Sequence, residues 1–230
     1  MAIASILKHL HNGLVVSCQA PADSPLHQPD IIAAIAQAAV QRGAIGVRLD
    51  TPAHIQAVRE RVTVPIIGLW KCQFPGYDVY ITPQFEQAQA VAVAGADIIA
   101  IDATQRPRPG GETLQDLIKR IHQDLGKPVM ADIDTLDNAI AAANAGADFI
   151  GTTLYGYTQE TQHLSPPGFD LLTAMAQQIR GCTLVCEGGI ASPAMAHRAL
   201  QLGADVVVVG TAITGIDLQV RAYCEAIQQP

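Results

Sequence analysis

The sequence predicts a single (β/α)8 barrel over residues 1–230, the TIM-barrel class of α/β folds, and three observations carry that prediction. A glycine-alanine pair leading into a strand-like run recurs as RGAIGVRLD, AGADIIAID, AGADFIGTT and LGADVVVVG, with Gly43, Gly95, Gly146 and Gly203 spaced 52, 51 and 57 residues apart. A second apolar run lies inside each interval, at residues 66–69, 129–132 and 184–187, and residues 14–18 supply one more, giving eight strands. None of these runs alternates apolar and polar residues, as expected of strands covered on both faces. A doubly wound open sheet would need a GxGxxG turn after its first strand, where this chain has SCQAPADS.

Taken in order, residues 1–12 read as a short helix preceding the first strand. Residues 30–42 set Ile32, Ile35, Ala36, Ala39 and Val40 on one helical face, with Gly43 as the C-cap. Thr51-Pro52, Thr82-Pro83 and Ser192-Pro193 read as three copies of one helix start, an N-cap hydroxyl followed by proline at the first helical position. Thr135 opens a further helix that runs to Ala145. The third strand, VPIIGLWK, is entered through proline and ends in Lys71; a lysine there costs free energy unless its surroundings use it. Residues 215–227 are apolar at helical spacing, a pattern that fits either closure of the barrel or a homodimer contact.

Composition narrows the function classes. Hydrophobic residues make up 49% of the chain and charged residues 15%, which suits a compact domain rather than a disordered one. The net charge of -7 argues against a nucleic-acid surface, and no run reaches the roughly 18–20 apolar residues of a membrane span. Five cysteines without a CxxC pair point to buried thiols in a reducing cytoplasm.

Chemistry in such barrels lies at the C-terminal strand ends. Reading the last inward candidate of each strand gives Gln19, Arg48, Lys71, Asp102, Asp132, Thr152 and Glu187, with Gly210 on the eighth. Five of the seven side chains ionise, far above the background of the chain. Gly188-Gly189 after the seventh strand and Gly210-Thr211 after the eighth match the usual phosphate-binding loops of this fold, because glycines let backbone N–H groups approach anionic oxygens. Arg106 and Arg108, in a proline-extended loop after the fourth strand, are expected to lean over the mouth as substrate contacts. None of the seven histidines falls at a strand end, so neither a metal nor another cofactor is expected.

A lysine ringed by an arginine and carboxylates beside a phosphate site suggests either a Schiff base or proton transfer next to a carbonyl. Both need the neutral amine, which costs roughly 4–5 kcal/mol at pH 7 for an unperturbed lysine. The ordered set SCQA, GVR, PIIGLWK, ITP, DATQRPRP, MADIDT, IGTTLYGYT, EGGI and VVVGTAIT closely resembles the N-acetylmannosamine-6-phosphate 2-epimerase family of (β/α)8 barrels over nearly the whole chain. The resemblance implies interconversion of N-acetylmannosamine 6-phosphate and N-acetylglucosamine 6-phosphate in sialic acid breakdown, by a cytoplasmic isomerase whose partner is an amino-sugar phosphate. It carries the acid/base lysine onto Lys71, the active-site glutamate onto Glu187, and substrate contacts onto Gln19, Arg48 and Asp132. Where the family commonly has arginine after AIT, this chain has Gly215, and residues 21–27 depart from the family's usual acidic stretch. A Schiff-base aldolase and a non-catalytic sugar-phosphate binder are the alternative readings.

Overall fold

The computed structural model describes residues 3–228 and closes eight parallel strands into a barrel in sequence order, β1-β2-β3-β4-β5-β6-β7-β8. These are β1 (Gly13–Ser17), β2 (Gly46–Asp50), β3 (Ile66–Leu69), β4 (Ile98–Asp102), β5 (Val129–Asp132), β6 (Phe149–Gly151), β7 (Thr183–Glu187) and β8 (Val206–Val209). The helices are α1 (Ile3–Leu10), α2 (Pro29–Gln41), α3 (Pro52–Arg59), α4 (Phe85–Val93), α5 (Leu114–Arg120), α6 (Leu136–Asn144), α7 (Phe169–Gln178), α8 (Pro193–Gln201), α9 (Thr211–Thr214) and α10 (Ile216–Gln228). No helix among the described residues is long and apolar enough to cross a membrane.

Two apolar layers follow from strand parity. Val15, Ile67, Leu69, Ile98, Ala100, Met130, Phe149, Val185, Val206 and Val208 fill the barrel interior. Ile6 and Leu10 of α1 pack into the same cluster and close its lower end. The alternate residues, among them Val47, Leu49, Ile66, Ile99, Ala131, Ile150 and Cys186, meet the helices in the outer layer. The parity that buries Ile67 and Leu69 aims Lys71 inward, and that of Val185 aims Glu187 inward. Of the cysteines, all free, Cys18 and Cys186 are buried as expected, whereas Cys224 on α10 is exposed.

The expected helix ends hold at three places. Thr51, Thr135 and Ser192 each accept a hydrogen bond from the backbone N–H three residues on, from His54, Asn138 and Met195. Thr82-Pro83 does not start a helix; α4 begins later, with Gln84 at its N-cap. Thr82 instead locks the end of β3: its Oγ1 accepts from the Trp70 N–H at 3.0 Å and its own N–H donates to the Trp70 carbonyl at 2.9 Å. Lys71 and Ile81 form an isolated antiparallel bridge, and the Cys72 N–H donates to Tyr80. The segment after β3 therefore folds back on itself and fixes the backbone under Lys71. Thr51 (φ 72°) and Thr82 (φ 44°), both bonded to the end of β3, hold positive φ, a strain of about 1–3 kcal/mol each for β-branched residues.

One side of the barrel lacks a cover. α10 buries none of its thirteen residues. Ile216, Val220, Tyr223 and Ile227 form an exposed stripe along it at helical spacing. Beside it an apolar groove of about 510 Å3, lined by Leu14, Pro193, Ala196, Leu200, Val207 and Ile213, runs between α8 and the β8–β1 wall.

Candidate functional site

A cavity of about 540 Å3 opens at the C-terminal ends of the strands, and Gln19, Arg48, Lys71 and Glu187 line it together with Gly188, Gly189, Gly210 and Thr211. At its floor Arg48 is 2% exposed and forms a two-pronged pair with Asp132, Nη1 to Oδ1 at 3.1 Å and Nη2 to Oδ2 at 2.6 Å. The same Nη1 lies 3.0 Å from Glu187 Oε2. Burial would lower the Arg48 pKa, but Asp132 and Glu187 outweigh it and raise the guanidinium above its ordinary value. Burial pushes the Glu187 carboxyl up to about 7; the like charge of Asp132 adds to that, while Arg48, Thr153 and Lys71 oppose it. A carboxyl in that range exchanges its proton at neutral pH.

Lys71 stands on the opposite wall. Its Nζ donates to Gln19 Oε1 at 2.5 Å, Gln19 Nε2 in turn donates to Ser17 Oγ at 2.9 Å, and Asp50 Oδ2 lies 3.7 Å from the amine. Asp50 also accepts the Lys71 backbone N–H at 3.0 Å. β3 and β7 are four strands apart in an eight-stranded ring, so Lys71 and Glu187 face each other across the barrel axis. Beside Glu187 the backbone turns sharply: Gly188 (φ 97°) and Gly189 (φ 69°) are both left-handed, and a Cβ on Gly189 would lie 2.5 Å from Pro166 Cβ. Gly215 has no room for a side chain, since its Cβ would approach Thr211 Cα to 2.8 Å.

Three sequence expectations need correction. Thr152 is buried and does not line the cavity; its hydroxyl donates to the Glu187 carbonyl at 2.9 Å and accepts the Glu187 N–H at 3.1 Å, bracing β7. Arg106 and Arg108 do not line the cavity but are engaged by Asp102. Arg106 Nη2 donates to Asp102 Oδ2 at 2.7 Å, and buried Arg108 donates to the Asp102 carbonyl. The reason is Asp102 itself, a fully buried carboxylate whose neutralisation outweighs reaching into solvent.

Sequence reading missed Thr153, Tyr80 and Asp50. Thr153 and Tyr80 line the cavity. Parity would have found two of them: Phe149 and Gly151 face inward, so Thr153 does and Thr152 does not, and Asp50 follows Arg48 on the same face. Tyr80 comes from the folded-back segment and carries no local signal. Among the described residues no three or more His, Cys, Asp and Glu side chains converge as metal ligands would.

The family described as "Putative N-acetylmannosamine-6-phosphate epimerase" matches residues 32–229. A relative named "Putative N-acetylmannosamine-6-phosphate 2-epimerase" from Synechococcus elongatus is 64% identical over 222 residues, 96% of each chain. One of the same name from Thermosynechococcus vestitus is 62% identical over 224 residues, 97% of each. Among solved structures, the N-acetylmannosamine-6-phosphate 2-epimerase from Clostridium perfringens is similar at 36% identity with a TM-score of 0.92, over 96% of each chain. A thiamine phosphate pyrophosphorylase from Pyrococcus furiosus, at 16% identity and a TM-score of 0.60 over 97% of this chain and 100% of that one, shares the fold alone.

The buried charge cluster makes a prediction about stability. Arg48→Met leaves two inward carboxyl groups without their counter-ion and is expected to cost about 3–5 kcal/mol at pH 8. The loss should shrink at pH 5, because Glu187 takes a proton below about 7. Urea unfolding at the two pH values checks this, and an equal loss at both would show that the cluster's charge is not what Arg48 balances.

Proposed function

The chain belongs to the N-acetylmannosamine-6-phosphate epimerase family, and from that premise we propose that it interconverts N-acetylmannosamine 6-phosphate and N-acetylglucosamine 6-phosphate by moving a proton at C2. The observation that carries the reading is the opposition of Lys71 and Glu187 across one cavity. Epimerisation must take hydrogen from one face of a carbon and return it to the other, and groups on opposite walls address opposite faces.

In the open-chain sugar the C2 proton is acidic because it neighbours the C1 aldehyde. Lys71, as the neutral amine, takes that proton, and the C–H electron pair moves onto the C1 oxygen as an enolate. Hydrogen-bonding and cationic groups around the cavity, Gln19 and Arg48 among them, stabilise the developing charge. Glu187, protonated, then gives a proton to the far face of C2, directly or through a substrate hydroxyl. The finished turnover leaves an ammonium and a carboxylate, and solvent restores the starting pair. Asp132 keeps Arg48 in register, and the phosphate lies against Gly188-Gly189 and Gly210-Thr211. With no arginine at position 215, backbone N–H groups and hydroxyls carry more of the phosphate's charge than a cation would.

Lys71→Ala is expected to lower turnover by about 10^4-fold, at the upper end for loss of an acid–base group, with the fold retained by circular dichroism. In D2O the parent enzyme should introduce deuterium at C2 of the product and the variant should not, as followed by proton NMR. Product without C2 deuterium, or a chain made heavier by borohydride in the presence of substrate, would point to the Schiff-base alternative instead.

The pH dependence has a definite sign. Lys71 and Glu187 share one transferable proton, and a second proton at low pH leaves no acceptor. kcat/KM should therefore fall as pH drops through about 7, the value burial gives Glu187, tending to tenfold per pH unit below it. A coupled assay from pH 5.5 to 9 measures that limb.

The working form is proposed to be a homodimer held through α10. The stripe of Ile216, Val220, Tyr223 and Ile227 matches in chemistry the apolar groove beside α8, so a second copy's α10 covers both at once. The double variant Tyr223→Asp with Ile227→Asp should sediment at half the parent's mass in analytical ultracentrifugation. An unchanged mass would exclude α10 as the contact.

A further inference from the structure

Consecutive threonines after β6 grip Glu187 at both ends. The 3-10 turn at Thr152–Leu154 sends Thr152 to the Glu187 backbone and Thr153 to its carboxylate. Thr153 Oγ1 lies 2.8 Å from Asp132 Oδ1 and 3.1 Å from Glu187 Oε2. Arg48 Nη1 lies 3.1 Å from that same Asp132 oxygen and 3.0 Å from that same Glu187 oxygen. Four atoms thus form a closed ring in which two carboxylate oxygens alternate with a cationic donor and a neutral one.

The two donors are not equivalent. Arg48 has several N–H groups fixed in one plane, whereas Thr153 has one rotating O–H and lone pairs that accept. A single hydrogen cannot serve both carboxylates at once. With Glu187 protonated, its O–H donates to Thr153 and the Thr153 hydrogen goes to Asp132, so every partner in the chain is satisfied. With Glu187 ionised, the Thr153 hydrogen swings to Glu187, and Asp132 keeps its two-pronged pair with Arg48.

We propose that Thr153 is a positioning residue whose hydroxyl reorients between Asp132 and Glu187 as the proton leaves Glu187, and that this donor holds the ionised carboxylate in its inward, cavity-facing setting. The inference deepens the epimerase reading, because it assigns the group that makes Glu187 reversible as a proton donor. The charged groups acting on Glu187 come from three directions: Arg48 on β2, Asp132 on β5 and Lys71 after β3. All three are fixed by the barrel. Thr153 alone responds to the protonation state by rotating.

The test compares Thr153→Val, which keeps the shape and removes the donor, with Thr153→Ser, which keeps the donor. Protein labelled with 13C at the glutamate carboxyls is titrated without substrate, and the Glu187 resonance is identified by its loss in Glu187→Gln. The serine variant should titrate as the parent does, and the valine variant should titrate about one pH unit higher, the shift that one hydrogen bond to a charged group supports. The acid limb of kcat/KM should move upward by the same amount. A valine variant that titrates with the parent, or serine and valine variants that shift alike, would overturn the proposal. Should valine unfold the chain, Thr153→Ala gives the same readout. If the resonance moves while the acid limb stays, the hold of Thr153 on Glu187 stands and the reading of Glu187 as the proton donor falls.

Discussion

The interior of this barrel is apolar until, one layer below the mouth, Arg48 meets Asp132 and Glu187. A guanidinium at 2% exposure has surrendered nearly all of its hydration, and the two carboxylates have surrendered most of theirs. Each charge is tolerable only because the others are present. That mutual dependence fixes the relative positions of β2, β5 and β7 at their upper ends, while burial, with Asp132 adding to it and Arg48 opposing it, lifts the Glu187 carboxyl to about 7. The framework of the barrel mouth and the proposed chemistry therefore rest on the same three side chains.

The opposite wall is built on another principle. Lys71 is 42% exposed and gains little from burial; its position comes from the backbone. Thr51 and Thr82 hold positive φ on either side of the end of β3, and the returning segment ties Lys71 to Ile81 and Cys72 to Tyr80. Gln19 and Asp50 then orient the amine. The site thus joins a rigid, desolvated acid on one wall to a solvated amine, held by its backbone, on the other. In the proposed reaction a proton crossing a sugar carbon between them would move between two unlike environments, as a pair alternating as donor and acceptor requires.

The chain carries net charge -7, so an anionic substrate meets a repulsive global field. Local geometry has to offset it. In the proposed reading the Gly188-Gly189 turn and the Gly210-Thr211 loop, which line the cavity, do so through backbone donors rather than added cations. Arg106 and Arg108, expected at the mouth from the sequence, are engaged by Asp102 instead. The loop after β4 is accordingly part of the framework of the site and not part of its lining.

Much of this was legible in the residues because barrels repeat. The glycine-alanine repeat and the apolar runs between its copies pointed to the eight strands, and inward parity at their ends delivered Gln19, Arg48, Lys71, Asp132 and Glu187, since a period of two is a local property. The same parity, applied one residue further along β6, distinguishes Thr153 from Thr152. Tertiary structure alone decided the rest. Thr82 became a lock on Trp70 rather than a helix cap because the segment after β3 folds back and bonds it to the end of that strand. Arg106 and Arg108 were turned back by a buried carboxylate whose burial no local pattern reveals. The ring of Arg48, Asp132, Thr153 and Glu187 exists only because closing the barrel brings together oxygens and nitrogens separated by long stretches of chain. Periodicity says which side chains face the axis; distance across the axis, which sets every charge and proton there, is a property of the closed ring.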